Sequence, residues 1–251
     1  MIGLDDRGLL LGDGLFETIL AVDGVFDHLP DHLDRMATGC VTLGLPALDF
    51  TGARRVAEAA LSQYPHSRVA VRLTLTAGSG GRGLDRPDQP NPVLFATASP
   101  SAKPVGPARL VISSLRRNAD SPTCRIKSLS YLENVLARRE AKLVGADEAL
   151  LLNHRGEIAS ASASNVFWLS HNILKTPALS CGVLAGIARG RVLDRARELG
   201  LATQEVCEPQ DALDQADLIF LTNSLIGVRQ AYIGTCGEHP LIAGLAKSFP
   251  G

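Results

Sequence analysis

Strand-like and helix-like patterns run through both halves of this 251-residue chain and predict an α/β (α+β) fold in two domains. Three observations carry the prediction. Val69, Val71, Leu73 and Leu75 alternate with Ala70, Arg72, Thr74 and Thr76, the period of a half-buried strand. Leu33, Met36, Ala37, Cys40 and Val41 recur at helical spacing, one apolar stripe of an amphipathic helix. Three prolines among small residues over 98–108 suit neither pattern and read as a connection. The expected division is a first domain over 1–100, a linker over 101–108 and a second domain over 109–251.

In chain order, the apolar run Leu15 to Ala21 reads as a strand. Asp31 is placed to cap the helix that carries the Leu33 stripe, and a second helix is expected from Gly52 to Gln63. The Val69 to Leu75 strand and one over Pro92 to Ala98 complete the first half. Beyond the linker, Arg109 to Leu115, Glu148 to Asn153, Asn165 to Ser170 and Leu218 to Thr222 read as strands. Tyr131 to Val144 and Ile187 to Leu199 read as helices. Ser130-Tyr131-Leu132-Glu133 has the form of a capping box, and the helix behind it is expected to bury Leu132, Val135, Leu136 and Leu143.

A net charge of -1 and 45% hydrophobic residues describe an ordinary globular protein, with no charge excess suited to nucleic acid. No segment has the length and apolarity of a membrane span, and the N-terminus lacks a signal-peptide pattern. Cys40, Cys124, Cys181, Cys207 and Cys236 are scattered, odd in number and free of any CxxC pair. That usage predicts reduced thiols in a cytoplasmic protein, without a metal site or a disulfide framework.

Lys127 stands between a stretch read as extended, Thr123 to Ile126, and the helix that follows. A lysine at such a junction can reach a pocket from rigid backbone, and desolvation there leaves it neutral enough to be a Schiff-base nucleophile. Arg35 lies about 200° around its helix from Leu33, off the apolar stripe, and is either a solvent arginine or an anion clamp. Gly182-Val183-Leu184-Ala185-Gly186-Ile187-Ala188-Arg189 is a glycine-punctuated turn entering a helix, where unpaired amides and the helix dipole favour a phosphate. Leu221-Thr222-Asn223-Ser224 ends a strand in hydrogen-bonding side chains. An amine nucleophile together with phosphate donors points to pyridoxal 5'-phosphate.

The chain resembles the class IV aminotransferases. The resemblance rests on eight motifs in the family's order: Asp6-Arg7-Gly8, Gly12-Asp13-Gly14-Leu15-Phe16-Glu17-Thr18, His32-Leu33-Asp34-Arg35, Gly80-Gly81-Arg82-Gly83, Ile126-Lys127-Ser128-Leu129, Ser164-Asn165-Val166-Phe167, Gly186-Ile187 and Thr222-Asn223-Ser224. It implies the two-domain fold-type IV arrangement of D-amino-acid aminotransferases, a homodimer and a small-molecule amino substrate. It also implies that Lys127 forms the Schiff base and moves protons. Arg35, the Ile187 and Ala188 amides and Ser224 would hold the phosphate, with Ser160, Asn165, Gly186 and Asn223 also about the cofactor. Phe16, Arg82 and Tyr131 are expected on the substrate side, Arg82 against a carboxylate, and Trp168 either beside the pocket or in the core.

Two positions depart from that pattern. Ala188 replaces a hydroxyl residue often found there. More consequentially, Ser160 stands where the family usually has the glutamate that pairs with the pyridine nitrogen. Glu157 is three residues away along an extended strand and so faces the opposite side. A serine cannot hold the ring nitrogen protonated as a carboxylate does, so the electron sink is expected to be weaker. Elimination tolerates that loss better than transamination. The expected activity is therefore the family's eliminase reaction, 4-amino-4-deoxychorismate to 4-aminobenzoate and pyruvate. The alternatives are a D-amino-acid or branched-chain aminotransferase and a catalytically impaired cofactor-binding relative.

Overall fold

The computed structural model describes residues 2–234 and 239–250. Cys236 lies outside the described residues. The chain forms two compact units, and its path between them is unexpected: Ile2–Ala102 together with Ile126–Tyr131 make the first, and Lys103–Arg125 with Leu132–Pro250 make the second. The sequence reading assigned Lys127 to the second half of the chain, whereas its six-residue segment is part of the first unit.

The first unit opens with α1 (Arg7–Leu11), capped by the Asp6 carboxylate, which accepts from the amides of Gly8 and Leu9 and from the Thr76 hydroxyl. Strands β1 (Gly14–Val22) and β2 (Val25–Phe26) follow, then helices α2 (Leu29–Leu43) and α3 (Phe50–Leu61), then β3 (Arg68–Thr76) and β4 (Val93–Pro100). The four strands form an antiparallel sheet in the order β2-β1-β3-β4. Leu15, Ile19, Leu33, Met36, Leu73, Leu75 and Ile126 fill its core. Asp31 does not cap α2. It lies in the first turn and binds the His28 ring, and the helix begins two residues earlier, with Pro30 in its first turn. Val41, counted in the apolar stripe, is exposed.

The second unit begins with β5 (Ala108–Arg117). A 3-10 turn over Pro122–Cys124 follows, so the approach to Lys127 is a tight turn and not the extended stretch expected. After the six-residue excursion come α4 (Leu132–Leu143), β6 (Glu148–Asn153), β7 (Ile158–Ala161), β8 (Asn165–Ser170) and β9 (Ile173–Pro177). Then come α5 (Ile187–Glu198), β10 (Ala202–Val206), β11 (Leu218–Asn223), β12 (Gly227–Tyr232) and α6 (Leu241–Ala246). Eight strands order as β10-β9-β8-β11-β12-β5-β6-β7 in a mixed sheet, with β5 and β6 parallel across α4.

Helix α4 has the predicted period but presents the other face. Asn134, Ala137 and Ala141 are its buried residues, packed with Ala146, Ala149 and Leu151, while Leu132, Val135, Leu136 and Leu143 are exposed. Small side chains let the helix backbone approach the sheet closely, which leaves the larger apolar residues on the outer face. The helix also starts at Leu132, so Tyr131 and not Ser130 precedes it. Trp168 is fully buried among the core residues of β8, β11 and β6. No helix among the described residues is long and apolar enough to cross a membrane.

Candidate active site

Lys127 is fixed by backbone before its side chain does anything. The Phe16 amide donates to the Lys127 carbonyl at 2.9 Å, the Leu129 amide donates to the Gly14 carbonyl at 2.9 Å, and Leu15 bridges Ser128. Segment 126–131 thereby runs as a short extra edge along β1. Gly14 makes this possible: a Cβ there would sit 2.4 Å from the Leu75 carbonyl oxygen and 2.8 Å from a Leu129 methyl. The neighbouring Asp13 is held by Arg7 and Arg86, whose hydrogen bonds, that of Arg86 foremost, keep its carboxyl below the usual range. The Gly-Asp-Gly motif is thus framework that holds the lysine segment.

The Lys127 amine lies 4.1 Å from the centre of the Phe16 ring and 5.1 Å from that of Tyr131, and these two rings meet edge to face. No hydrogen bond or ion pair binds it among the described residues. Burial lowers its pKa from 10.5 to about 8; Glu17 opposes the shift, while Arg35 and Arg72 add to it. Beneath it, Glu17 is wholly buried yet stays ionised. Desolvation would raise its pKa, but hydrogen bonds from Arg35 and then His32 bring it down to about 2. Arg35 donates to Glu17 through Nε at 2.8 Å and Nη2 at 2.6 Å, and His32 Nδ1 is 2.7 Å from the same carboxylate. Arg35 is therefore no solvent arginine.

Arg72 is the residue that sequence reasoning missed. Its guanidinium stacks 3.7 Å from the Phe16 ring centre, on the ring that also meets the Lys127 amine. Among the described residues it has no hydrogen-bond or ion-pair partner. Its polar place in the β3 alternation gave the only available signal, and that signal reads equally well as a solvent-facing strand position. Arg82, expected to meet a substrate carboxylate, sits on an exposed turn bridged to Asp85 and has no described contact with the Lys127 surroundings.

In the second unit a different set gathers. Asn165 donates to the Leu184 carbonyl at 3.0 Å, and a Cβ on Gly186 would fall 2.0 Å from Asn165 Oδ1, so the turn entering α5 is packed directly on β8. Gly186 precedes the helix, and the first-turn amides, Ile187 and Ala188 included, have no acceptor within the helix itself. Asn165 pairs with Thr222 across the sheet, and Asn223 donates to Ala163 and Ser164 while accepting from the Leu225 and Ile226 amides. Ser224 follows in the turn after β11. The hydroxyls of Ser160 and Thr222 are buried and have no partner among the described residues. Glu157 is held by Asn153 and Arg155 and does not stand in for the missing glutamate.

The family model for class IV amino-transferases matches residues 14–231 of this sequence. The chain belongs to the class IV aminotransferase family. Members are pyridoxal-phosphate-dependent enzymes, aminotransferases or lyases, and the two-sheet α/β architecture is that of fold-type IV. A provisionally named branched-chain-amino-acid aminotransferase of Methanocaldococcus jannaschii is 33% identical over 89% of this chain and 79% of its own length. The aminodeoxychorismate lyase of Bacillus subtilis is 29% identical over 89% of this chain and 78% of its own. The crystal structure of a provisionally named 4-amino-4-deoxychorismate lyase from Legionella pneumophila superposes with a TM-score of 0.89. It is 29% identical, covering 98% of this chain and 92% of that one.

The residues present fit the family's cofactor. A lysine amine whose pKa burial lowers to about 8 suits an aldehyde, and helix amides together with buried hydroxyls that have no partner among the described residues suit a phosphate and a ring nitrogen.

Proposed function

We propose that this protein is a pyridoxal-phosphate-dependent lyase that converts 4-amino-4-deoxychorismate to 4-aminobenzoate and pyruvate. The observation that carries the reading is Ser160, a buried hydroxyl with no partner among the described residues, where a family carboxylate is expected. The similarity to the lyases of Bacillus subtilis and Legionella pneumophila supports it.

When bound, pyridoxal phosphate supplies a carbonyl with which amines condense and a ring that withdraws electron density from the adjoining carbon. The protein's own part follows from the groups present. Lys127, with its lowered pKa, takes the proton from the amine-bearing carbon of the substrate and returns one to the departing enolpyruvate. Phe16 and Tyr131 cover the amine and keep bulk water from it. Ser160, which offers a hydroxyl and no carboxylate, would leave the cofactor's ring nitrogen neutral, which suits a reaction drawn forward by aromatisation of the product. We assign Arg72, and not Arg82, to the substrate carboxylate, because its exposed guanidinium has no hydrogen-bond or ion-pair partner among the described residues and shares the Phe16 ring with the Lys127 amine. The phosphate roles of Arg35, Ile187, Ala188 and Ser224, and the cofactor contacts of Asn165, Gly186 and Asn223, belong to the same proposal. So does a homodimer: the exposed Leu9, Leu10 and Leu11 of α1 and the outer face of α4 offer apolar surface that a second copy would cover.

An aminotransferase is the second reading, favoured by the 33% identity to the archaeal relative. Purified protein given aminodeoxychorismate should release pyruvate with no keto acid added. Failure to do so, with keto-acid-dependent consumption of D-alanine or a branched-chain amino acid, would select the aminotransferase. Protein that takes up pyridoxal phosphate and turns over neither substrate would be the impaired relative.

A further inference from the structure

The cysteines scattered in sequence are not all scattered in space. Cys181 closes the 3-10 turn Leu179–Cys181 and is fully buried, while Cys207 follows β10 and is exposed. Their sulfurs are 3.2 Å apart, with the Cys181 thiol directed at the Cys207 sulfur. The Glu157 carboxylate completes the group, its oxygen and the two sulfurs lying within 4.8 Å of one another. Three chain segments are locked together around it: the Ala178 amide donates to the Val206 carbonyl, the Ile158 amide to the Glu208 carbonyl, and Glu157 bridges Pro209.

A metal site is the first reading to weigh. Zinc–sulfur bonds of about 2.3 Å in a tetrahedral site would set the sulfurs about 3.8 Å apart, wider than the 3.2 Å found. Arg155 also places its guanidinium 3.0 Å from the Glu157 carboxylate, a poor neighbour for a cation. A disulfide needs sulfurs at about 2.05 Å, so closure asks for a shift of only about 1.2 Å.

We propose that Cys181 and Cys207 are a peroxide-oxidisable dithiol, in which Cys207 attacks the oxidant, Cys181 resolves the product and Glu157 accepts the resolving proton. The exposed Cys207 sulfur, as thiolate, attacks one oxygen of a hydroperoxide. The O–O bond breaks, the leaving alkoxide takes a proton from water as the alcohol, and Cys207 becomes a sulfenic acid. The Cys181 thiol then gives its proton to Glu157, and its sulfur displaces hydroxide from the sulfenic sulfur. Hydroxide leaves as water with that proton, and the S–S bond forms. The two thiols are oxidised by two electrons, and one hydroperoxide is reduced to an alcohol and water. The division of labour suits the burial. Desolvation, then the neighbouring Cys207 and Glu157, push the Cys181 thiol up to about 12, so it stays protonated until a base assists it. The new bond would fasten the end of β10 to the turn five residues ahead of Gly186.

The experiment is stoichiometric hydrogen peroxide on the native protein, followed by peptide mapping without reductant. The expected product is one Cys181–Cys207 cross-linked peptide, two fewer free thiols per chain, and full reversal by dithiothreitol. C181S should accumulate a Cys207 sulfenic acid that dimedone captures, C207S should leave Cys181 reduced, and E157Q should slow closure at least tenfold at unchanged Cys207 oxidation. Pairing with another cysteine, absence of the cross-link, Cys181 oxidation that persists in C207S, or stoichiometric zinc held on both thiols would overturn the proposal. Closure in E157Q at the native rate would remove Glu157 from it.

Discussion

A lysine with a pKa of about 8 is about one-tenth neutral at pH 7, and Lys127 owes that fraction to burial and to Arg35 and Arg72 acting against Glu17. Colour formation by apo-protein with pyridoxal phosphate should accelerate about tenfold between pH 7 and pH 9, levelling off above a midpoint near 8. R72A should move that midpoint upward and raise the KM of a carboxylate substrate; a midpoint that stays put would detach Arg72 from the amine. The same group has a stability consequence. Between its folded value of about 8 and the ordinary 10.5, the unfolded chain holds a proton that the folded chain lacks. Its contribution is therefore complete above 10.5 and lost as pH falls through 8, so the fold gains stability with rising pH in that window. K127M should flatten that part of the pH profile in urea unfolding. Glu17 supports the cluster from below. E17Q leaves the Arg35 guanidinium facing a neutral amide in place of its carboxylate and should destabilise the fold by about 3 kcal/mol, measurable in the same titration. S160E restores a carboxylate at the ring-nitrogen position, and transamination of D-alanine with a keto acid should rise in the folded, cofactor-loaded variant. Transamination that does not rise counts against the weak-sink argument.

Elements show why part of this was legible and part was not. Strands whose side chains alternate between core and surface, such as β3, or whose apolar runs are buried throughout, such as β6 and β8, declared themselves by pattern alone. β2, β9 and β10 did not, because two to five residues carry too little periodicity. On α4 the period was right and the face wrong. Alanines look neutral in sequence, yet Ala137 and Ala141 make the close contact, and the leucines that look like core stand outside. Within the site, Lys127 and Tyr131 stand beside one junction in the sequence, whereas Phe16 was expected only through the family resemblance, and the fold sets its ring centre 4.1 Å from the Lys127 amine. Arg72 was not expected, since only the pairing of β1 with β3, Phe16 opposite Thr74, brings it near Phe16. At the entry to α5, the contact between Gly186 and Asn165 leaves no room for a methyl group. G186A should weaken pyridoxal-phosphate binding about tenfold, about 1.4 kcal/mol, and a cofactor titration by absorbance would reveal it.

For the whole molecule, the exposed leucines of α1 and the outer face of α4 predict self-association. Sedimentation equilibrium should find a dimer, and L136E, which alters an exposed position, should raise the monomer fraction while leaving the circular dichroism unchanged. The thread of the chain has its own implication. Ile126–Tyr131 folds with the first unit although the residues on both sides of it belong to the second. The protein consequently has no cut point that yields two self-sufficient modules. A split after Ala102 would give one fragment with Glu17, Arg35 and Arg72 but no amine to tune, and another with Lys127 but none of those charges to tune it. In that second fragment the amine should titrate as an ordinary lysine.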